Sequence, residues 1–439
     1  MQQTIRGGFV FGDWSCRAGL LCILLFTNSI GIASEPMHWP EFRGPTGDGQ
    51  AGSPGLPATW SESENVKWKT EIPGRGWSSP VVWEDQVWLT TSTPEGRELS
   101  AYCLDRSTGA VRFARKLLDV KFPSAIEKFN SYASPTPAIK AGRVYLSYGG
   151  YGLVCLDTST FETLWIRRDL ECEHYQGAGA SPMLAQDLLY LHYDGIDQQY
   201  VVALDQETGD TVWKTRRPHN FQTTSFDEKK CYATPQISVI NGRRELISPS
   251  SKGVFSYDPD TGREFWRIRF DQFSTAWRPL YGDGLLLVGT GWRYAAVLGI
   301  RPADSGDLTE TNIVWSQPKQ MPCKPSGILH DGLLTVVNDS GIASCLDART
   351  GEVVWQKRIG GNFSASPILA DGRLFLFDEG GKGVVIAAGR EYQEIATNVL
   401  DEGCLASPAV VGRSLFVRTR THLYCLEDSS RRTTPVVDR

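Results

Sequence analysis

The chain has 439 residues, of which 41% are hydrophobic and 22% are charged, and its formal net charge at pH 7 is −5. These proportions are ordinary for a soluble globular chain. No basic tract is longer than two residues, as in Arg216-Arg217, so the charge pattern gives no support to nucleic-acid binding.

Residues 1–33 are expected to be a secretory signal peptide. Arg6 and Arg17 precede an apolar run from Ala18 to Phe26, and Gly31-Ile-Ala33 supplies small residues at the cleavage position. The apolar run is short for a membrane span, and no other segment approaches 18 apolar residues. Because Cys22 lies within this run, we predict a soluble exported protein, periplasmic or extracellular, rather than a lipoprotein.

Residues 34–64 are rich in Gly, Pro and Ser and are predicted to form an irregular strap. The strap would deliver a strand at about residues 65–70, which contains Trp68, to the rest of the fold. Alternatively, Trp39 or Arg43 of the strap contributes to a site on one face.

A hairpin motif recurs along the rest of the chain, and its best copy is Ala203-Leu-Asp-Gln-Glu-Thr-Gly-Asp-Thr-Val-Trp213. The Asp side chain can accept hydrogen bonds from turn amides, and the Gly supplies the positive φ that reverses the chain. Phe161 replaces the Gly in one copy, and Phe113 replaces the Trp in another. Further copies begin at Cys103, Cys155, Ser256 and Cys345.

A second mark precedes each hairpin. It is a small residue or two followed by Pro, then a short apolar strand, a polar turn and another apolar strand, although Arg or Lys precedes the Pro in two copies. The marks recur roughly every 40 to 55 residues, which is the length of a four-stranded propeller blade. They are Ser79-Pro80, Ser134-Pro135, Ser181-Pro182, Thr234-Pro235, Arg278-Pro279, Lys324-Pro325, Ser366-Pro367 and Ser407-Pro408.

The marks predict eight blades, but the last unit stops at Asp428 without an outermost strand. The missing strand is found at the other end of the chain, around Trp68. We therefore predict an all-β fold, a single eight-bladed β-propeller of four-stranded antiparallel blades over residues 65–428. The N-terminal strand would complete the last blade and close the ring, and residues 429–439 would form a C-terminal tail.

The small-x-Asp-x-x-Thr-Gly-x-x-x-Trp pattern resembles the tryptophan-docking repeat of the pyrroloquinoline-quinone (PQQ)-like β-propellers, from about Asn65 to Asp428. The segment from His38 to Pro45 is similar to the leader of a group of secreted bacterial members. The resemblance implies one of two functions. Members are either quinoprotein dehydrogenases, with PQQ and a metal in the central channel, or cofactor-free propellers such as the lipoprotein of the outer-membrane β-barrel assembly machinery.

The resemblance implies strict requirements for the dehydrogenase class: an adjacent pair of disulfide-bonded cysteines, a Glu and an Asn on the metal, and an Asp base. The sequence contains no adjacent cysteines and no Cys-x-x-Cys-His haem motif. We therefore assign no catalytic, cofactor-binding or metal-binding residue. We predict a non-catalytic, monomeric scaffold for a protein partner or an envelope ligand. The alternative is a PQQ- or carbohydrate-linked oxidoreductase that uses PQQ with calcium.

Eight cysteines follow the predicted signal peptide. Half of them occupy the small-residue position of the hairpin, where a thiol packs as a small hydrophobic group. The others lie in connections between blades, where an exported protein could form disulfides. The absence of any Cys-x-x-Cys pair argues against structural zinc. The first group is Cys103, Cys155, Cys345 and Cys425, and the second is Cys172, Cys231, Cys323 and Cys404.

The functional site is expected on the face formed by the connections between blades and by the turns between second and third strands, here called the upper face. Aromatic and cationic side chains there could stack on a planar ligand or a sugar and hold a carboxylate. Alternatively, they only fill the mouth of the channel. The candidate rim residues are Trp77, Tyr132, His174, Gln176, Asp194, Asp197, Trp277, Arg278, Trp292, Arg293 and Lys324.

Two groups within this set have a more specific alternative. The segment Asp194-Gly-Ile-Asp197 resembles a piece of a calcium loop but lacks its remaining ligands, so we expect a plain turn. His174 and nearby His192 could act as acid–base groups. Without a nucleophile or paired carboxylates beside them, we expect surface or turn histidines.

Overall fold

The computed structural model describes residues 38–52, 55–218 and 224–431, so the predicted signal peptide and most of the C-terminal tail lie outside the described residues. Helix within these ranges is limited to two short 3₁₀ segments, Asp227–Lys229 and Ser429–Arg431. No described helix is both long and apolar enough to cross a membrane.

The described strands form eight sheets, each built on four antiparallel strands, and these are the blades of a propeller ring, as predicted. Each blade has four strands in chain order from the channel outwards, except that the outermost strand of blade 8 comes from the N-terminal part of the chain. Blades 1 to 4 are Val81–Trp83, Gln86–Ser92, Glu98–Asp105, Val111–Asp119; Ala138–Lys140, Arg143–Ser147, Leu153–Asp157, Thr163–Arg167; Met183–Ala185, Leu188–Asp194, Gln199–Asp205, Thr211–Arg216; and Gln236–Ile240, Arg243–Ser250, Gly253–Tyr257, Glu264–Arg269. Blades 5 to 8 are Leu280–Gly282, Leu285–Gly289, Val297–Ile300, Ile313–Gln317; Ile328–His330, Leu333–Val337, Ile342–Asp347, Val353–Arg358; Ile368–Ala370, Arg373–Phe377, Lys382–Ala387, Glu394–Val399; and Ala409–Val411, Ser414–Arg418, His422–Leu426, Val66–Glu71.

The ring closes in the predicted way. The strand Val66–Glu71 pairs antiparallel with His422–Leu426, and Trp68 lies opposite Cys425. The two ends of the propeller are therefore held in one sheet, and the outer edge of His422–Leu426 is paired rather than left open.

The repeated tryptophans join each blade to the next. Trp213 of blade 3 donates its indole N–H to the carbonyl of Pro259 in blade 4, at 2.9 Å. Its ring lies so close to Gly262 that a Cβ there would be 2.4 Å from it, which explains why the turn requires Gly. The same contact recurs as Trp68 on Gly109, Trp165 on Gly209 and Trp315 on Gly351.

The two residues that differ from the motif are in contact with each other. Phe113 of blade 1 replaces the Trp and Phe161 of blade 2 replaces the Gly, and their rings stack with centroids 5.0 Å apart. Phe161 keeps the positive φ of the turn, at 61°. Trp88 packs against both rings. An aromatic pair thus replaces the Trp–Gly contact at this junction.

A ring of hydroxyl groups joins the blades near the channel. The hydroxyl belongs to a Ser or Thr two residues before the innermost strand of a blade. It accepts a hydrogen bond, at 2.9–3.2 Å, from the backbone amide at the same position in the preceding blade. Ser134-Pro135 and Lys324-Pro325 are therefore wrong as the marks of blades 2 and 6, because they lie two residues too early. The linking residues are Ser79, Thr136, Ser181, Thr234, Ser326, Ser366 and Ser407.

The junction between blades 4 and 5 is built differently. Arg278 occupies the hydroxyl position in blade 5, and its Nε donates to Gln236 of blade 4 at 2.7 Å. Trp266 donates to Glu245 within its own blade, at 2.7 Å, instead of docking on the next one. A short strand from blade 5, Gly306–Asp307, pairs in parallel with the outermost strand of blade 4 and bridges the two blades.

The strap does more than deliver the closing strand, because it also fills the channel side of the blades. His38–Trp39 pairs with the free inner edge of blade 1. Pro40 accepts a hydrogen bond from Ile139 of blade 2, at 2.8 Å, and Glu41 accepts one from Leu184 of blade 3, at 3.0 Å.

The second half of the strap continues past the remaining inner strands. Gln236 of blade 4 donates to the carbonyl of Thr46. Gln50 donates to Leu329 of blade 6, at 3.1 Å, and the following Ala51 bonds to the innermost strand of blade 7. Residues 38–51 therefore line the channel side of the ring, which the sequence did not predict.

Candidate functional site

Every aromatic side chain that is more than a third exposed, among the described residues, lies on the upper face. The other large hydrophobic side chains with comparable exposure are aliphatic, and nearly all of them lie on outermost strands. Exposed aromatic groups are typical of protein–protein and ligand contacts. The exposed aromatic residues are Phe122, Phe129, Tyr175, Phe226, Trp292 and Tyr294.

Trp292 stands beside an open cleft of about 300 Å³ between blades 5 and 6. Its side chain is 61% exposed, and that of Tyr294 is 83% exposed. Arg293 and Tyr294 both have positive φ, at 65° and 68°, an unfavourable conformation that often marks functional turns. The cleft is lined by Trp292, Met321 and Cys323 and by the polar residues Gln320, Asn338 and Asp339.

Lys324 lies next to this cleft and is engaged by two acids. Its Nζ is 3.0 Å from Glu379 and 3.7 Å from Asp339. Burial opposes ionisation of Glu379, but the hydrogen bond from Ser364 and the charge of Lys324 outweigh it and lower the pKa of that carboxyl. Lys324 is one-third exposed, so it keeps a donor surface towards solvent.

The neighbouring predicted rim residues Trp277 and Arg278 are buried, and their assignment to an exposed rim is wrong. Trp277 packs against Gly289 and Gly327, and none of it is exposed. The Arg278 guanidinium forms an ion pair with Glu41 of the strap, at 2.6 Å, and also donates to the carbonyl of Phe42. Both side chains therefore hold the strap and the inner strands together.

Trp77 and Tyr132 differ in their exposure to solvent. Trp77 is partly exposed and donates its indole N–H to Phe129, at 2.8 Å, while Arg75 lies over its ring. Tyr132 is buried and donates to Ser124, at 2.8 Å. Tyr132 is thus a structural support of the connection between blades 1 and 2, not an exposed rim group.

A buried lysine in the connection between blades 3 and 4 contacts two aromatic rings, and the sequence did not predict this group. Lys230 contacts the rings of Tyr175 and Tyr232 at 4.8 and 5.7 Å. Its Nζ donates to Gln176 and to Asp227. Burial lowers the pKa of Lys230, although Asp227 opposes this effect. Gln176 therefore positions a buried lysine and is not a free rim donor.

The segment that resembles a piece of a calcium loop contains two carboxylates with separate roles. Asp197 accepts hydrogen bonds from the amides of Glu173 and Gln198, both at 2.8 Å, and shapes the turn. Asp194 forms an ion pair with Arg217 at 2.7 Å, and neither side chain is exposed. Burial raises the pKa of Asp194 to about 6, against the opposing charge of Arg217.

His192 is buried on a strand of blade 3, so the expectation of a surface or turn histidine is wrong for it. His174 is partly exposed in the connection into blade 3, as expected. Burial lowers the pKa of His174 to about 4 and that of His192 well below its ordinary value. His192 and Asp194 form, with Cys231, a group of three potential metal ligands.

The cysteines after the predicted signal peptide are all free thiols in this structure, so Cys172, Cys231, Cys323 and Cys404 form no disulfides in it. Cys103, Cys155, Cys345 and Cys425 are fully buried in the hairpins, as predicted.

Comparisons with known proteins agree with this fold. The family model described as "Outer membrane protein assembly factor BamB" matches residues 56–228, 197–307 and 305–391. Among curated protein sequences, none matches the chain significantly.

Three similar solved structures cover most of the chain. BamB from Moraxella catarrhalis has a TM-score of 0.57 and 12% identity, over 82% of this chain and 99% of its own. Quinohemoprotein alcohol dehydrogenase from Comamonas testosteroni has a TM-score of 0.64 and 11% identity, over 93% of this chain and 83% of its own. The computationally designed Ika8 protein has a TM-score of 0.56 and 11% identity, over 81% of this chain and 98% of its own. At these identities the similarity is one of fold.

Proposed function

The chain belongs to the family of outer membrane protein assembly factor BamB, and we propose that it is a non-catalytic scaffold of the cell envelope that binds a partner through its upper face. One observation carries the proposal: among the described residues, the aromatic side chains that are more than a third exposed are all on that face. The family supports an envelope location, because the description of its model refers to outer-membrane assembly.

The composition of the upper face supports a protein or peptide partner. Aromatic residues are enriched in the centres of protein interfaces, where they contribute most of the binding energy. Trp292 and Tyr294 project beside a cleft whose polar side is lined by Asn338 and Asp339. Lys324 adds a partly exposed cation, so a partner with aromatic-binding pockets and an acidic group would match this surface.

The alternative function is a quinone-linked oxidoreductase, and the similarity to a quinohemoprotein dehydrogenase structure favours it. The residues of this chain do not fit PQQ. The sequence has no adjacent cysteines. The inner edge of blade 1 is paired with the strap, and Arg278, which reaches into the channel, is engaged by Glu41 and Phe42.

Site-directed photo-cross-linking in the source bacterium tests the proposal. A photoreactive amino acid at Phe129, Tyr175 or Phe226 should give one common adduct. The same probe at Val212 or Val353, which are exposed on outermost strands, should not. Adducts of equal yield at all five positions, or none at the first three, would contradict the proposal.

Catalysis is tested separately. Purified protein reconstituted with PQQ and calcium should give no dye-linked oxidation of alcohols or aldoses. Oxidation that a chelator abolishes would establish the oxidoreductase instead. Binding of PQQ without turnover would leave the scaffold proposal standing.

A further inference from the structure

Three side chains with metal-binding atoms converge between blades 3 and 4. His192 and Asp194 are two residues apart on the second strand of blade 3, so they point to the same side of the sheet. Cys231 lies in the connection that leads into blade 4. One potential ligand atom from each residue lies within 4.8 Å of the other two. All three residues are at least 98% buried.

Two of the polar atoms in this group form no hydrogen bond of ordinary geometry, although the hydroxyl of Ser250 lies near the Asp194 carboxylate and the backbone of Ala233 near the His192 ring. These two atoms are Nε2 of His192 and Oδ2 of Asp194. A buried polar atom without a partner costs about 1–3 kcal/mol, so such atoms are rare in folded proteins. Two of them on adjacent side chains, next to a thiol, indicate a shared ligand.

The surrounding residues orient these atoms as a metal site requires. Asp194 uses Oδ1 to accept a hydrogen bond from Nε of Arg217, at 2.7 Å, which leaves Oδ2 available. Nδ1 of His192 is 2.9 Å from the hydroxyl of Ser248, which also accepts from Arg217. When Nδ1–H donates to Ser248, the lone pair of Nε2 is free to bind a metal. Metal-bound histidines are generally held by such a second hydrogen bond.

The donor set selects the metal. Nitrogen, oxygen and sulfur together suit Zn²⁺, whereas Ca²⁺ and Mg²⁺ take oxygen ligands. The carboxylate of Asp194 and a thiolate at Cys231 would supply two negative charges to the ion, and with Arg217 still donating to the other carboxylate oxygen the whole group would carry one net positive charge. Ligands of tetrahedral zinc are roughly 3.3–3.8 Å apart, so the three side chains need only close slightly around the ion.

We propose that His192, Asp194 and Cys231 bind one Zn²⁺ ion that links blade 3 to blade 4. The thiol proton of Cys231 leaves to solvent as the zinc–sulfur bond forms. Water completes the fourth position, because three protein ligands leave one open. Sequence patterns miss this site, since its ligands are not arranged as Cys-x-x-Cys and come from two blades.

Metal analysis and a cobalt probe test the proposal on the full chain. Protein produced with zinc and dialysed against metal-free buffer should retain about one zinc per chain. Protein produced with cobalt should show a near-ultraviolet thiolate-to-cobalt band and the strong visible bands of four-coordinate cobalt. Wild-type protein with neither the zinc nor the band would overturn the proposal, whatever the variants do.

Two cysteine variants assign the ligand. Cys231→Ser should lower the retained zinc at least tenfold and remove the near-ultraviolet band. Cys404→Ser is the matched control, because Cys404 is an equally buried thiol in the connection into blade 8 and lies outside the ligand group. It should keep both signals. Equal retention of zinc by the two variants, once circular dichroism shows that both are folded, would also overturn the proposal.

Discussion

Blade 5 and its leading connection contain the dipeptide Trp-Arg twice, and the two copies have opposite environments. Trp277-Arg278 precedes the innermost strand, where the tryptophan is fully buried and the arginine is paired with Glu41 of the strap. Trp292-Arg293 lies in the turn between the second and third strands, where the tryptophan is 61% exposed and the Arg293 side chain 65% exposed.

The difference shows how position in a blade decides the role of a side chain. A residue just before an innermost strand points into the channel, where the strap supplies partners for it. Trp292 and Arg293, in a turn on the upper face, project largely into solvent, although Arg293 lies 3.7 Å from Glu228. The same pair of residues therefore stabilises the fold in one place and offers a binding surface in the other. The predictions below test this contrast.

Removal of the strap and closing strand should have the largest effect. Deletion of residues 35–70 takes away Glu41, the partner of Arg278, and the outermost strand of blade 8, so we expect aggregation. Size-exclusion chromatography and recovery of soluble protein measure the effect. The control is deletion of residues 1–34 alone. A soluble monomer that lacks residues 35–70 and melts at the wild-type temperature would disprove the structural role of the strap.

Replacement of the two arginines should separate the two environments. Arg278→Ala leaves the Glu41 carboxylate buried without its partner, and breaking a buried ion pair in this way costs about 3–5 kcal/mol. Arg293→Ala should change the free energy of unfolding by less than about 0.5 kcal/mol, as surface substitutions usually do. Chemical denaturation of both variants checks the prediction, and equal losses would refute the contrast.

Replacement of the two tryptophans tests the same contrast with uncharged side chains. Trp277→Ala empties a site between Gly289 and Gly327 and should cost about 3–5 kcal/mol of unfolding free energy. Trp292→Ala should cost far less, because its ring already faces solvent. The denaturation midpoints of the two variants give the comparison. A Trp292→Ala variant as unstable as Trp277→Ala would mean that the upper-face aromatic residues are structural.

A small stability effect is also expected at Lys324. Its contacts with Glu379 and Asp339 are partly exposed to solvent, and such ion pairs contribute about 0–1 kcal/mol. Lys324→Ala should therefore leave the denaturation midpoint almost unchanged, and the little it loses should shrink further at high salt. A loss comparable to that of Arg278→Ala would place Lys324 among the structural cations.

The blades could be predicted from the sequence because their signals are local. The Asp, Thr, Gly and Trp of each hairpin act within a few residues, and the unpaired strand around Trp68 had one incomplete blade to join. Even the exceptions Phe113 and Phe161 were visible, although their contact was not.

The channel contacts of the strap and the buried group around His192 were less predictable, because the residues that form them are distant in sequence. Glu41 and Arg278 form an ion pair although they are far apart in the sequence, and no local pattern around either residue indicates the other. One signal was present: Arg278 occupies a position where other blades carry Ser or Thr, so a special partner could have been expected there. The buried group around His192 likewise depends on Cys231 from the next blade.

The yield of the cross-linked adduct tests the central claim most directly. With the photoreactive residue at Tyr175, the combined variant Trp292→Ser and Tyr294→Ser should lower the adduct at least about tenfold, as expected for loss of central interface aromatics. The matched variant Val212→Ser and Val353→Ser, on exposed outermost strands, should leave it unchanged. An adduct that survives the first variant, or falls equally in both, would contradict binding through the upper face.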